Sequence, residues 1–186
     1  MEFFDVVDLD GNPTGEKVER TYAHAHAIRH RTAHIWIVRR VLGRIQIMLQ
    51  KRSLNKDSFP GKYDTSSAGH IEAGHEPLES AIRELSEELG IRAAGAQLTF
   101  AGTFDIRFEK EFHGKMFRDN EIAFVYVYDN PVDIKNLTLQ TEEVERVDWF
   151  DLMETYEACL RRDEKFCVPV DGLSLLISFL ENYATN

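Results

Sequence analysis

Glu84, Glu87 and Glu88 stand at spacings i, i+3 and i+4. On a helix that spacing puts three carboxylates on one face, where like charges repel by roughly a few tenths of a kcal/mol per pair. Two readings of such a face are open. It is a solvated acidic surface, or it binds a hard cation. Mg²⁺ and Mn²⁺ take oxygen ligands, and Mg²⁺ commonly bridges carboxylates to substrate phosphates. Arg83 lies beside the glutamates, and its planar fork can brace a carboxylate or a loop.

The element that must carry these groups is the clearest helix in the chain. Leu78, Ala81, Ile82, Leu85 and Leu89 recur at three- and four-residue spacing, Pro77 suits the first turn and Gly90 the stop. The apolar stripe fixes one side of this helix to a core and leaves the carboxylates on a rigid element. Before it, strands are predicted over 3–9, 32–40 and 45–50. A turn falls at Asp10-Gly11-Asn12-Pro13, an irregular or briefly helical stretch at 19–30, and a polar loop at 51–63. After it, strands are predicted over 98–108, 112–117 and 122–128, with His113-Gly114-Lys115 as a hairpin tip. Two helices follow at about 150–160 and 173–183. Mixed strands with helices laid against them predict an α+β fold, an α/β/α sandwich.

The 186 residues fit one domain, 1–186. Hydrophobic residues are 43% and charged residues 29%, which argues against disorder. Lys and Arg number 22 against 32 Asp and Glu, a net charge of −10, which disfavours a nucleic-acid polymer as partner. An anionic ligand would then need a divalent cation to offset the local carboxylates. The apolar run 173–180 is far short of a membrane span, which needs roughly 18 residues. No basic or apolar leader precedes Phe3, and Cys159 and Cys167 are too few for a disulfide framework. A cytoplasmic protein with reduced thiols is therefore expected.

The stretch from Gly69 to Ile91 resembles the Nudix box. That box is Gly, five residues, Glu, seven residues, Arg-Glu, an aliphatic, any residue, Glu-Glu, any residue, Gly and an aliphatic. Gly69, Arg83, Glu84, Leu85, Glu87, Glu88, Gly90 and Ile91 fall in register. Average residue usage gives those matches by chance in roughly one chain in a million. One position departs: His75 stands where the box has its first Glu, which chiefly braces the box Arg. Glu72 and Glu76 stand nearby as substitutes.

The resemblance implies a Nudix-type α/β/α sandwich with a mixed sheet. It implies Mg²⁺- or Mn²⁺-dependent hydrolysis of a diphosphate linked to another moiety, such as a nucleoside diphosphate or related nucleotide derivative. It assigns Glu84, Glu87 and Glu88 as metal ligands with the Gly69 carbonyl as a further one. Arg83 and Glu87 belong to the catalytic machinery, and the candidates for general base are Glu88, Glu121 and Glu143. A small-molecule diphosphate is the implied partner, and relatives that dimerise leave a homodimer open.

The resemblance extends, over roughly residues 3–150, to the branch that includes isopentenyl diphosphate isomerase. Phe4-Asp5-Val6-Val7-Asp8, Gly11, His24, His30-Arg31, Gln50-Lys51-Arg52-Ser53, Pro60-Gly61 and Ser67-Ala68-Gly69-His70 carry it. That isomerase holds a metal with histidines and a later acidic pair. His24, His30 and His70 look like the equivalents here, and Asp119-Asn120-Glu121 resembles the acidic pair. Arg52 and Lys56 lie where the branch places basic residues that meet phosphates. The isomerase also needs a cysteine directly before the Gly-His, and Ala68 stands there. Alanine moves no proton, so the hydrolase is the expected activity. An isomerase and a catalytically weak nucleotide-binding protein are the alternatives. His26, His34 and His113 are read as solvated polar residues. Phe59, Tyr63, Phe104, Phe108 and Phe117 are read as base-stacking or core aromatics.

Overall fold

A computed structural model describes residues 1–56 and 58–183. Residue 57, in the loop expected over 51–63, and residues 184–186 lie outside the described residues.

The chain opens with a two-stranded hairpin, β1 (Phe3–Val7) and β2 (Pro13–Glu19), followed by the short helix α1 (Arg20–His26). β3 (His30–Val41) is the centre of the main sheet, and its length lets it hold three neighbours. β8 (Lys115–Tyr128) runs parallel along one edge, from His30 opposite Glu121 to Ile37 opposite Tyr128. The other edge is shared: β4 (Arg44–Arg52) pairs antiparallel with residues 38–41, and β6 (Ser67–His70) pairs antiparallel with residues 32–35. Where β4 splays away, the Ser66 hydroxyl accepts from the Ile37 amide at 2.8 Å and donates to the Met48 carbonyl. That hydroxyl satisfies backbone groups that would otherwise be buried and unpaired. β9 (Val144–Asp151) and the two-residue β5 (Tyr63–Asp64) pair with β4, and β7 (Thr99–Phe112) pairs with β8 at the far edge.

Alternation along β3 sets the layers. Ala33, Ile35 and Ile37 point to a core shared with Ala81, Leu85 and Leu89 of α2 (Pro77–Leu89). Trp36 and Val38 point to the opposite core, closed by Leu152 and Cys159 of α3 (Leu152–Leu160) and by Leu173 and Leu176 of α4 (Val170–Tyr183). The result is the expected α/β/α sandwich around a mixed sheet.

Several boundaries differ from the expectations, among them the last helix, which starts at Val170 rather than 173. The strands predicted over 98–108, 112–117 and 122–128 are two long strands of one hairpin, turned at His113-Gly114. Arg118, Asp119 and Asn120 broke the apolar alternation in the sequence but continue the ladder in the structure. β2 is an exposed polar strand with no apolar signal. The penultimate helix starts at Leu152 rather than about 150, because β9 runs through Asp151. The Asp151 side chain then caps α3 by accepting from the Met153 and Glu154 amides.

Candidate functional site

β3, β6, α2, the β7–β8 hairpin and residues Arg52, Asn55, Lys56, Ser58 and Phe59 line a cavity of about 720 Å³. Gly69, His70, Arg83, Glu84, Glu87, Glu88, Arg52, Lys56, Glu121 and Glu143 all line it. Residues separated by up to 91 positions in the sequence therefore share one space.

α2 presents its carboxylates unequally. Glu84 and Glu88 are buried, while the Glu87 side chain is 54% exposed and pairs with Arg83 Nη1 at 3.0 Å. The single solvated or metal-binding face expected for all three is thus divided. Glu84 fits against Gly69, where a Cβ would overlap its carboxylate. That position has no alternative to glycine while Glu84 stays in place. Burial, and then the nearby Glu88, push the Glu84 carboxyl up to about 7, against the Arg83 guanidinium 2.8 Å away. Glu88 is also pushed up by burial, although the Ser67 hydroxyl (2.6 Å), the Gln50 amide (3.2 Å) and the Ala68 backbone N–H (3.3 Å) all donate to it. All three donors reach Oε2, which leaves Oε1 for the cavity.

His75 leaves Arg83 without the expected carboxylate partner, and the structure supplies others. Arg83 Nη2 donates to the His70 carbonyl at 3.1 Å, and Glu72 lies 3.9 Å from Nη1. The loop that carries His75 is held from the other side. Arg31 bonds the His75 carbonyl (3.1 Å) and Asp5 (3.2 Å), and Asp5 accepts from the Gly74 amide at 2.8 Å.

The second group of ligand-type residues is more tightly gathered. Ligand atoms of His24, His30 and His70 lie within 4.8 Å of one another, and so do those of His30, Asp119 and Glu121. The parallel register sets His30 opposite Glu121, β6 brings His70 beside β3, and His24 lies on the buried side of α1, which the left-handed Ala27 ends. His30 Nε2 and His70 Nε2 each stand 3.4 Å from Glu121 Oε1, and His24 Nδ1 stands 3.5 Å from Asp119. Phe4 stacks on His30 at 4.7 Å and on His70 at 4.6 Å, and Phe117 stacks on His24 at 4.3 Å. His30 Nδ1 donates to the Ile28 carbonyl at 2.8 Å, so in the neutral ring Nε2 carries the lone pair.

Both nitrogens of His24, the Nε2 atoms of His30 and His70, and Asp119 Oδ1 are buried without hydrogen-bond partners. Burial, then the neighbouring His70 and His30, lower His24 to about 3, and burial also lowers His70. Burial works against ionisation of Glu121, yet contacts from His30 and His70 hold it well below the usual carboxylate range. Asp119 is pushed up to about 10 by burial and by Glu121. Unpartnered imidazole nitrogens converging with a carboxylate form a donor set suited to a divalent transition metal. The three α2 glutamates and the Gly69 carbonyl form a hard-oxygen set suited to Mg²⁺ or Mn²⁺.

The remaining residues of interest are engaged within the cavity wall. Arg52 donates to Asp64 (2.9 Å) and to Ser58 (3.0 and 3.1 Å), and Lys56 pairs with Glu143. Burial, then the nearby Arg52, lower the Lys56 ammonium. Ala68 pairs with His34 across β6 and β3, so no thiol occupies that position. Cys167, read from the sequence only as a reduced thiol, also lines the cavity, and burial raises its thiol well above the ordinary value. His34 and Thr32 were missed as cavity residues. His34, expected at the surface, is buried because β3 is paired on both edges.

The NUDIX domain family matches residues 28–166. The chain is 38% identical to Nudix hydrolase 3 of Arabidopsis thaliana over 172 residues, which cover 91% of this chain and 22% of that protein. The match to the uncharacterized Nudix hydrolase YfcD of Escherichia coli K12 is 31% over 185 residues, covering 100% of this chain and 90% of the relative. The fold is similar to that of a Deinococcus radiodurans protein solved by crystallography, with a TM-score of 0.64 at 17% identity over 86% of this chain and 90% of the other. No helix among the described residues is long and apolar enough to cross a membrane.

Proposed function

This chain belongs to the Nudix family, and from that premise we propose that it is a cytoplasmic, Mg²⁺- or Mn²⁺-dependent hydrolase of a small molecule in which a diphosphate is linked to another moiety. The observation that carries the reading is the Glu84–Gly69 pair. A buried carboxylate, pushed up to about 7 beside a second buried carboxylate, lies in a cradle that only glycine leaves open. Such a group is stabilised by a cation, and the oxygen donors around it match a hard one.

Glu84 and Glu87, with the Gly69 carbonyl, would hold the cation, while Glu88 keeps its one free oxygen, Oε1, for a proton. When bound it offsets substrate charge, lowers the pKa of water and stabilises the leaving oxygen. Arg83 orients this set by bonding Glu84, Glu87 and the His70 carbonyl. Arg52 and Lys56 bind the phosphates, and Lys56 exchanges Glu143 for a phosphate oxygen as substrate enters. Glu88 is the best-placed proton acceptor. Three donors fix its Oε2, and burial raises its affinity for a proton at Oε1. Glu121 faces the Nε2 atoms of His30 and His70 at 3.4 Å, and Glu143 is paired with Lys56, which suits both better to binding than to moving a proton. His24, His30 and His70, or His30 with Asp119 and Glu121, would hold a second cation.

The histidine cluster also favours a second reading, an isomerase of allylic diphosphates. Ala68 offers no proton at the position where that reaction needs one. The test is product release from a panel of nucleoside di- and triphosphates, nucleotide sugars, dinucleotides and isopentenyl diphosphate with Mg²⁺ or Mn²⁺. A Glu87→Gln variant runs beside the wild type. Metal-dependent release lost at least tenfold in the variant supports the hydrolase. Deuterium exchange into isopentenyl diphosphate without release supports the isomerase.

A further inference from the structure

β7 lies at the far edge of the main sheet. Among the described residues its only strand partner is β8, no other element hydrogen-bonds its backbone, and none of Thr99–Phe112 is buried. A long free edge is a template for another strand, and proteins ordinarily blunt one with proline, with brevity or with a bulge. Residues 99–112 hold no proline, and the bulge lies at the start of the strand, between Phe100 and Gly102. The edge from Thr103 onward is regular.

The side chains along this edge are matched to a second copy of themselves. Alternation puts Phe104, Ile106 and Phe108 on one face and Asp105, Arg107 and Glu109 on the other. Ile106 and Phe108 line the cavity, and Asp105 Oδ1 accepts from Arg29 at 2.6 Å on the far face. Asp105 Oδ2 has no partner among the described residues, and the Arg107 side chain has neither a hydrogen bond nor an ion pair there. Two copies of β7 related by a two-fold axis normal to the sheet run antiparallel, and each side chain then faces one on the same side of the sheet. With the axis at Ile106, Asp105 of each copy meets Arg107 of the other, Phe104 meets Phe108, Thr103 meets Glu109, and no like charges meet. An axis at Asp105 sets that carboxylate against itself. An axis at Arg107 sets the guanidinium against itself and Asp105 against Glu109, and an axis at Phe108 sets Asp105 against Glu111. Opposite charges directly across a strand pair stabilise it, and like charges weaken it.

We propose that β7 is the interface between two copies of this chain, paired antiparallel about Ile106 into one continuous sheet. Both cavities then open on the same side of that sheet, and the two Ile106 side chains, each part of a cavity wall, stand side by side at the axis. Sedimentation velocity over a concentration series tests this with the wild type, Arg107→Glu and the double variant Asp105→Lys/Arg107→Glu. The wild type should sediment at twice the chain mass. Arg107→Glu turns both opposite pairs into like pairs and should weaken the dimer about tenfold, with an unchanged far-ultraviolet circular dichroism spectrum. The double variant restores opposite charges and should recover most of the loss. The register is read by mild oxidation of Ile106→Cys beside Phe100→Cys. Facing Cβ atoms of a strand pair stand about 4.5–5.5 Å apart, so only Ile106→Cys should form a covalent dimer. A wild type that stays monomeric up to its solubility limit would overturn the proposal. So would a dimer that Arg107→Glu leaves intact, or one that Ile106→Cys does not cross-link.

Discussion

Replacing Glu84 by Gln tests whether this carboxylate is held for a cation. In the metal-free protein its carboxyl is carried from an ordinary 4.5 to about 7 by burial and by Glu88. Between those pH values the folded state keeps a proton that the unfolded state has lost, so folded-state stability falls as pH rises through the window. At 1.36 kcal/mol per pH unit the loss is roughly 3 kcal/mol once pH exceeds about 7. Gln has the same shape and no charge. Glu84→Gln in EDTA should therefore match the wild type at pH 4.5 and exceed it by up to roughly 3 kcal/mol at pH 8, or about 6–12 °C in Tm for a chain of this size. With Mn²⁺ added, the order should reverse, because only the wild type gains from the ion. Urea unfolding followed by circular dichroism, at both pH values and with and without the ion, reads all four terms. A variant no more stable than the wild type at pH 8 in EDTA would refute the reasoning. So would equal stabilisation of both proteins by Mn²⁺.

Gly69→Ala should displace the Glu84 carboxylate, because the added Cβ overlaps it. Isothermal titration should show weakened Mn²⁺ binding while the far-ultraviolet circular dichroism is unchanged. Lys56→Met should raise KM for the diphosphate substrate at least tenfold with a smaller effect on kcat, since its ammonium meets ground state and transition state alike. Leu85→Ala, at a fully buried position under α2, should cost about 2–5 kcal/mol in urea unfolding.

The helix that carries the site was legible because three signals agree over 77–90: an apolar stripe, a proline start and a glycine stop, with Gly90 at φ 72° as the left-handed cap. Spacing placed Glu84, Glu87 and Glu88 near one another, but only the packing of β6 against α2 decides that Glu84 and Glu88 are buried and Glu87 is not. The histidines were less legible. His24 and His30 are six positions apart, which puts them on different sides of a helix and roughly 20 Å apart along a strand. They meet because Ala27 reverses the chain between them at φ 53°. Asp119 and Glu121 read as an interruption between strands, since charged residues ordinarily end an apolar alternation. They alternate correctly once the face they share is recognised as cavity wall. His34 was read as solvated because its own residue type is polar; the pairing of β3 on both edges, a non-local fact, buries it.

The central claim is that the α2 carboxylates make this fold a metal-dependent diphosphate hydrolase. The most direct measurement is phosphate or nucleotide release from the mixed diphosphate panel with Mg²⁺ or Mn²⁺, for the wild type and for Glu88→Gln. The account predicts release that requires the ion and falls at least a hundredfold in the variant, in line with removal of a proton-accepting group. Release that persists undiminished in Glu88→Gln, or in EDTA, would contradict it.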